Sequence, residues 1–206
     1  TTTYPTEPAQ PAPARAGFVA QLASILSLPW ARTILLVGVV EGATGFRVLA
    51  IWASHLHHTL GFSLSAAGAI VALFGAGGVL YMATARHLIR RLRPARLVLL
   101  GGSLILVASL VIGFASPAYR VLTIPASLLG GFGFFSFHNV MQANAAQMAP
   151  GARGSAVSLF AASLFLGQSV GVLLAASLSE RFGAGLVIAS CGAILCVLGA
   201  WFARAL

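Results

Sequence analysis

The sequence predicts an all-α integral membrane protein with six transmembrane helices. Of its 206 residues, 59% are hydrophobic and only 7% are charged, whereas a soluble domain carries about 25% charged residues. Because so few charges cannot form a water-facing surface, lipid must surround much of the chain. Six apolar runs approach or exceed the roughly 20 residues that a helix needs to cross the hydrocarbon. Their apolar residues occupy consecutive positions, which excludes the alternating pattern of a β-barrel.

The predicted spans follow one another with short connections. They cover about residues 33–54, 65–85, 95–115, 121–146, 155–178 and 185–203. The break at 57–61 separates the first two spans, and Pro94 and Pro117 bracket the third. A short amphipathic helix at 18–28 precedes them, and we expect it on the membrane surface. The chain therefore divides into a linker and surface segment, 1–27, and a six-helix bundle, 28–206.

The arginines predict the orientation of the chain. All twelve basic residues are Arg, and the acids are Glu7, Glu41 and Glu180. With a cytoplasmic N-terminus, the cytoplasmic side holds Arg15, Arg32, Arg86, Arg90, Arg91, Arg93, Arg96, Arg153 and Arg204. The far side holds Arg120 and Arg181. By the positive-inside rule, both termini are cytoplasmic in a multi-pass protein of the cell (inner) membrane. Basic residues between apolar runs do not form one solvated face, so no nucleic acid partner is predicted.

The opening stretch, 1–16, is rich in Pro, Thr and Ala. It lacks the basic start and short apolar core of a signal peptide, and it is typical of a flexible linker. Because the first residue is Thr1 rather than Met, we expect a segment to precede it. Cys191 and Cys196 lie in one apolar run without CxxC spacing, so neither a metal site, a disulfide nor a cofactor is indicated.

The connection between the second and third spans has a recognisable pattern. A glycine-rich helix end and a short basic turn carry Gly77, Gly78, Arg86, Arg90, Arg91 and Arg96. This pattern resembles the second copy of the signature loop of the major facilitator superfamily. Ala85 stands where first copies carry Asp, and Pro94 stands where Gly is commoner.

A second stretch resembles spans ten and eleven of bacterial drug and sugar efflux members of that superfamily. It reads His138-Asn139-Val140-Met141-Gln142, then Gln147-Met148-Ala149-Pro150-Gly151-Ala152-Arg153-Gly154, then Ser158-Leu159-Phe160 and Gly167-Gln168-Ser169-Val170-Gly171. Gly151 occupies a position where an acid is common. The resemblance, which covers about 28–206, implies the C-terminal six-helix half of an efflux permease.

The resemblance also implies a function and partners. The chain would carry out secondary active transport of a small molecule, as proton-coupled efflux across the lipid bilayer. A half alone cannot enclose a cavity, so it requires an N-terminal six-helix half, in the same chain or separate, or a second copy of itself. Residues 1–27 would then be the linker between halves.

The first span carries two ionisable residues, which are costly in lipid and mark functional candidates. Glu41 lies nine residues after Arg32, roughly 13 Å inward and near the midplane. Desolvation disfavours a charged carboxylate there, so Glu41 is a candidate proton carrier; alternatively it pairs with an Arg or a backbone group. Arg47 does not share the face of Glu41. It either binds an anionic substrate or snorkels to the outer surface.

The fourth span carries His138, Asn139 and Gln142, with Phe134 one turn away. These side chains either form a cavity wall that binds substrate or make hydrogen bonds between helices. Counted from Arg120, His138 lies roughly 27 Å along the helix, so we expect it toward the cytoplasmic end rather than the midplane.

Small residues mark packing and hinge candidates. Gly167 and Gly171 form a GxxxG motif on the fifth span, which lets two helices approach closely. The resemblance implies packing of this helix across the interface between halves. Pro125, Gly130 and Gly131 would let the fourth span bend during alternating access.

Two other functions compete with transport. A membrane-embedded hydrolase would need a reactive Ser in a polar pocket near His138. The motif Gly167-Gln168-Ser169-Val170-Gly171 matches a nucleophile elbow, but that motif requires a strand-turn-helix context and here lies within an apolar helix. We therefore predict that the chain is not an enzyme. The remaining alternative is a truncated membrane protein that does not transport.

Overall fold

The computed structural model describes residues 17–45 and 48–206, apart from the side chains of Phe18 and Val48. The helices are α1 (Phe18–Ser27), α2 (Pro29–Thr44), α3 (Val48–His58), α4 (Leu64–Arg91), α5 (Pro94–Phe114), α6 (Thr123–Gln147), α7 (Arg153–Phe182) and α8 (Ala184–Ala203). Short 3-10 helices at Pro117–Leu122 and Pro150–Ala152 lead into α6 and α7. No strand occurs in the described part of the chain, so the predicted all-α fold is confirmed.

Six segments of the described chain are long and apolar enough to cross a membrane. They are Pro29–His58, Leu64–Arg91, Pro94–Phe114, Pro117–Gln147, Pro150–Phe182 and Ala184–Ala203. The first comprises α2 and α3, so α2 ends at Thr44 and α3 resumes at Val48 within one span. The predicted six-span architecture is therefore confirmed, and it matches one half of a major-facilitator fold.

Local sequence explains where several helices begin and end. Pro29 and Pro94 occupy the first helical positions of α2 and α5, where the missing N–H of proline costs nothing. The Ser63 hydroxyl accepts a hydrogen bond from the N–H of Ala66 and caps α4. Gly183, with φ of +86°, adopts a conformation that side chains disfavour and forms the single-residue turn between α7 and α8.

Helix α6 lies at the centre of the bundle, packed against α4 and α5, with α2 and α7 beside it. Helix α5 packs on its other side against α8, and α2 packs along α7. Close contacts at small residues bring these helices together: Gly101 lies against Gly133 across α5 and α6, and Gly113 lies against Gly185 across α5 and α8. Aromatic side chains then fill the remaining core, and Phe137 of α6 is fully buried.

The connection between α4 and α5 differs from the predicted basic turn. Helix α4 continues to Arg91, and only Leu92 and Arg93 separate it from α5. The prediction of a basic turn beginning near Arg86 was therefore wrong. A helix can extend beyond the hydrocarbon because long arginine side chains keep their charged ends in water, so the charge does not mark the end of the helix.

Helix α1 packs on the bundle through its apolar face. The Ile25 side chain is 1% exposed, and the Ser155 hydroxyl donates a hydrogen bond to Oε1 of Gln21, at 3.0 Å. Only Leu28 separates α1 from α2. The predicted helix at 18–28 is therefore present, and it rests against α2 and α7.

The alternating spans place the arginines unequally at the two ends of the bundle. One end, called here the arginine-rich end, carries Arg32, Arg86, Arg90, Arg91, Arg93, Arg96, Arg153 and Arg204. The opposite end, called the arginine-poor end, carries Arg120 and Arg181 together with Glu180. Among the described acids, none lies at the arginine-rich end, because Glu41 is inside the bundle.

Candidate functional site

Helices α2 and α6 bring Glu41 and His138 together inside the bundle. Nδ1 of His138 lies 2.7 Å from Oε1 of Glu41. The Glu41 side chain is 0% exposed, whereas that of His138 is 19% exposed. The second carboxyl oxygen, Oε2, has no hydrogen-bond partner among the described residues. Of the two side chains, the imidazole is therefore the one that is partly exposed.

The hydrogen bond permits two protonation states without movement of the heavy atoms. The Nδ1–H of His138 can donate to a Glu41 carboxylate, or a protonated Glu41 can donate to Nδ1. A charged carboxylate buried in lipid is costly unless it is paired, and the imidazole supplies that pairing. The pair can therefore gain or lose a proton through His138 while Glu41 remains buried.

Aromatic rings enclose the imidazole. The Phe134 ring stacks on that of His138 with a centroid separation of 5.8 Å and an angle of 9°. The Phe160 ring, from α7, lies 6.2 Å from His138. Sequence reasoning named Phe134 but missed Phe160, because no spacing rule links α6 to α7. These rings give the imidazole an apolar surround on the side of α6 and on the side of α7.

The predicted difference in depth between Glu41 and His138 was wrong. His138 is nine residues from the end of α6 at Gln147, just as Glu41 is nine residues from Arg32. The estimate from Arg120 failed because the fourth span, Pro117–Gln147, has 31 residues and is longer than the hydrocarbon it crosses. Counting residues from Arg120 therefore placed His138 too close to the arginine-rich end.

The two amides predicted beside His138 do not join the pair. Asn139 and Gln142 are both exposed. Asn139 lines a separate cavity of ≈ 530 Å³ at the arginine-rich end, with Arg93 and Gln147 in its wall. Gln142 lies one turn beyond His138 toward that end. The sequence grouped these residues by proximity in the chain, but the helix directs Asn139 to another side of α6.

The other predicted residue of the first span, Arg47, lies outside the described residues. The partner that the structure shows for Glu41 is His138, whereas the sequence analysis offered an Arg or a backbone group.

The family follows from a match that spans most of the chain. The family model of the Major Facilitator Superfamily matches residues 34–205. The chain belongs to this superfamily. No curated protein and no solved structure matched the chain. Members of the superfamily are membrane transporters rather than enzymes, so the chain is a membrane transport protein.

Ser169 lies within a continuous helix. Its hydroxyl donates a hydrogen bond to the carbonyl of Phe165, at 2.9 Å within α7. The surrounding residues are helical from Arg153 to Phe182, so the strand-turn-helix setting of a nucleophile elbow is absent there.

The residues that resemble the superfamily's signature loop separate into two groups in this structure. A Cβ on Gly77 would meet the carbonyl of Leu128, and a Cβ on Gly78 would meet the Phe135 ring, so these glycines hold α4 close to α6. Arg86, Arg90 and Arg91 instead line an open groove of ≈ 700 Å³ at the arginine-rich end. Arg96 is exposed in the first turn of α5.

The GxxxG motif of α7 packs within this six-helix bundle. A Cβ on Gly167 would meet the backbone of Val39, and one on Gly171 would meet that of Ala43. Both glycines therefore face α2 and hold α7 beside the helix that carries Glu41. Packing across an interface between halves, which the resemblance implies, would use other faces of α7.

The three hinge candidates lie in a continuous helix. Pro125 is the third residue of α6, where no intrahelical N–H is lost, so it does not interrupt the helix. Gly131 lies against the backbone of Phe74 on α4, and Gly130 lies against Trp52 on α3. Both glycines make packing contacts between α6 and its neighbours, and their role as a hinge stays a prediction.

Proposed function

We propose that this chain forms one half of a proton-coupled exporter of a small molecule, and that the Glu41–His138 pair carries the proton. The observation that supports this proposal is the 2.7 Å hydrogen bond between a fully buried carboxyl and a partly exposed imidazole. Ionisable residues inside membrane spans commonly belong to proton or substrate pathways. Within the described part of the chain, this contact places a fully buried carboxyl against an imidazole from another span.

The partial exposure of His138 sets the order of events in the proposal. A proton that arrives from solvent reaches the imidazole first, and Glu41 then shares it through the existing hydrogen bond. A second half, packed against this one, would enclose the exposed edge of His138 in a cavity. Rocking of the halves would expose that edge to each side of the membrane in turn.

The arginine-rich end supports a cytoplasmic placement. Eight described arginines lie at that end and two lie at the other, which is the asymmetry of the positive-inside rule. The proposal places both ends of the chain on the cytoplasmic side of an inner membrane. The partner is an N-terminal six-helix half, in the same chain or separate, or a second copy.

Export can be tested with the full-length protein in cells. Cells are loaded with a panel of fluorescent drug-like compounds and radiolabelled sugars, and the rate of loss is compared with that of cells lacking the protein. A protonophore should abolish the difference for any compound that is a substrate. If a substrate leaves the cells equally fast with and without the protonophore, the proposed proton coupling is wrong.

The pair itself is tested with two variants and a matched control. Glu41→Gln should leave binding of the exported compound intact and abolish its proton-driven export. The amide keeps a hydrogen bond to His138 but cannot gain or release a proton in this pH range. His138→Gln should act in the same direction. His87→Gln, which changes an exposed histidine at the end of α4, should retain export. Full export by Glu41→Gln would contradict the assignment.

A further inference from the structure

The last turns of α4 carry a dense group of basic side chains on one face of the helix. This group, called here the basic stripe, consists of Arg86, His87, Arg90 and Arg91. At about 100° per residue, these positions fall within an arc of about 140°. All of these side chains are exposed, and together with Ala83 they line the open groove of ≈ 700 Å³. The basic groups are therefore gathered around one area of surface.

The described residues supply no counter-charge to the basic stripe. The carboxyl of Glu41 is paired with His138 inside the bundle, and among the described acids none lies at the arginine-rich end. Arg93 and Arg96 follow the stripe directly and add to the same positive charge. Clustered cations without nearby acids attract an anionic partner.

The basic stripe faces away from the bundle. The side of α4 that packs on α6 carries Gly77, Gly78 and Tyr81, and these positions lie roughly opposite the stripe around the helix. Leu88, within the same turns as the stripe, is partly buried and packs on the core. The basic side chains therefore project toward whatever surrounds the bundle.

The same face of α4 is apolar at a greater depth in the membrane. Val79 and Leu80 lie about two turns before the stripe, and they are 61% and 46% exposed. Around the helix, both positions fall within the arc of the stripe. An exposed apolar surface that leads into clustered cations fits an amphiphile with an anionic head and apolar chains.

The length of α4 places the basic stripe at the level of the lipid headgroups. The helix begins at Leu64, and at 1.5 Å per residue Arg86 and Arg91 lie roughly 33 and 40 Å further along it. The hydrocarbon is about 30 Å thick, and the membrane with its headgroups is about 40–45 Å thick. With Leu64 at one edge of the hydrocarbon, the stripe crosses the headgroup layer at the other edge. This depth favours the phosphate of a phospholipid over an anion dissolved in water.

We propose that the basic stripe binds an anionic phospholipid of the leaflet at the arginine-rich end. Its guanidinium groups donate hydrogen bonds to the phosphate oxygens, because their planar forks match phosphate geometry. The small side chain of Ala83, in the middle of the stripe, lets the headgroup approach the helix. The acyl chains lie along Val79 and Leu80. The site is apart from the Glu41–His138 pair, so this inference goes beyond the proposed function.

The first test uses the full-length wild-type protein, so it does not depend on the folding of a variant. Hydrogen exchange is compared between phosphatidylcholine vesicles and vesicles that also contain phosphatidylglycerol with the same acyl chains. Both lipids carry a phosphate, but only phosphatidylglycerol has a net negative charge. Exchange of the amides at 88–92 should be severalfold slower with phosphatidylglycerol, and exchange at 144–147, the nearby end of α6, should not change. Equal exchange at 88–92 in both kinds of vesicle would contradict the proposal.

The second test removes the charge of the stripe. Arg86→Gln, Arg90→Gln and Arg91→Gln are combined in the full-length protein, and these exposed positions should tolerate the change. Dioleoyl phosphatidylglycerol is titrated into the protein in detergent, and the bound lipid is counted by native mass spectrometry. Each arginine strengthens attraction of an anionic lipid by about fivefold, so the triple variant should bind roughly 100-fold more weakly than the wild type.

A matched control removes the same charge from other places at the arginine-rich end. Arg32, Arg153 and Arg204 are also exposed there, and the combined change of all three to Gln should leave phosphatidylglycerol binding close to that of the wild type. Equal weakening in the two triple variants would mean that the lipid responds only to the total charge of this end, and it would overturn the site.

Competition distinguishes a lipid site from a site for a dissolved anion. Inorganic phosphate and glycerol 3-phosphate, at millimolar concentration, should not displace phosphatidylglycerol, because neither has chains to contact Val79 and Leu80. Displacement by either compound would overturn the assignment to a lipid. A wild-type protein that retains no more phosphatidylglycerol than the stripe variant would also overturn it, because another protein surface would then cover this face of α4.

Discussion

Nδ1 of His138 lies 2.7 Å from Oε1 of Glu41, although the two residues are 97 positions apart in the chain. The contact joins the first span to the fourth at equal distances from the arginine-rich end. Its surroundings are apolar and aromatic, with Phe134 and Phe160 beside the imidazole. In such surroundings each group depends on the other for its hydrogen bond, so a change in either one should affect both α2 and α6.

Removing the imidazole should destabilise the bundle. In His138→Ala, Glu41 stays buried without its partner, and the free energy of unfolding should fall by about 1–3 kcal/mol. Glu41→Gln should cost less, because the amide can still bond to Nδ1. Reversible unfolding in mixed micelles measures both. His87→Ala is the control, and an equal effect of both histidine variants would contradict a structural role of the pair.

Replacing the pair by apolar residues should restore stability. The double variant Glu41→Leu with His138→Leu removes both polar groups together, and it should be more stable than His138→Ala alone. The same unfolding measurement checks this, with transport as a second readout. A stable but inactive double variant would support a functional pair, whereas a double variant less stable than His138→Ala would contradict this prediction.

A methyl group on Gly167 should separate α7 from α2. Its Cβ would meet the backbone of Val39, which cannot move aside cheaply, so Gly167→Ala should lower the free energy of unfolding by about 1–3 kcal/mol. Gly154→Ala is the matched control on the same helix, because a Cβ there has nothing within 4 Å. The control should be neutral or slightly stabilising. Equal stability of the two variants would contradict the packing described for α2 and α7.

The Arg120 side chain holds the turn between α3 and α4. Its guanidinium donates to the carbonyl of Gly61 at 2.9 Å and lies 5.0 Å from the Phe62 ring. Arg120→Ala should therefore speed hydrogen exchange at the Phe62 N–H, with a local cost of about 1 kcal/mol. Arg181→Ala, at the same end of the bundle, should leave that exchange unchanged. Unchanged exchange in Arg120→Ala would argue against this contact.

The orientation can be measured by labelling. Arg91→Cys and Tyr119→Cys, each in a protein with Cys191→Ala and Cys196→Ala, place single thiols at opposite ends of the bundle. A membrane-impermeant maleimide added to intact cells should label the variant at position 119 and not that at 91, as the positive-inside rule requires. Inverted vesicles should give the reverse result. Labelling of position 91 from outside would overturn the proposed orientation.

Much of the fold could be predicted because spanning helices are local structures. Each must satisfy its own backbone hydrogen bonds, so length and apolar composition locate it without knowledge of its neighbours. Boundaries were less well predicted where helices continue beyond the hydrocarbon. Helix α3 ends at His58, four residues past the predicted end of the first span at 54, so His55 was not recognised as an intramembrane ionisable residue. Helix α4 likewise continues through the arginines to Arg91.

The sequence by itself determined the membrane class, the six spans, the arginine asymmetry and the presence of Glu41 and His138 within spans, since all of these depend on composition along one helix. Only the tertiary structure decided that Glu41 pairs with His138, that Phe160 joins them, and that Asn139 lines a different cavity. Those facts depend on the rotation and depth of one helix relative to another. Contacts at residues such as Gly131 and Gly167 set both, because they fix how closely and at which level two helices meet.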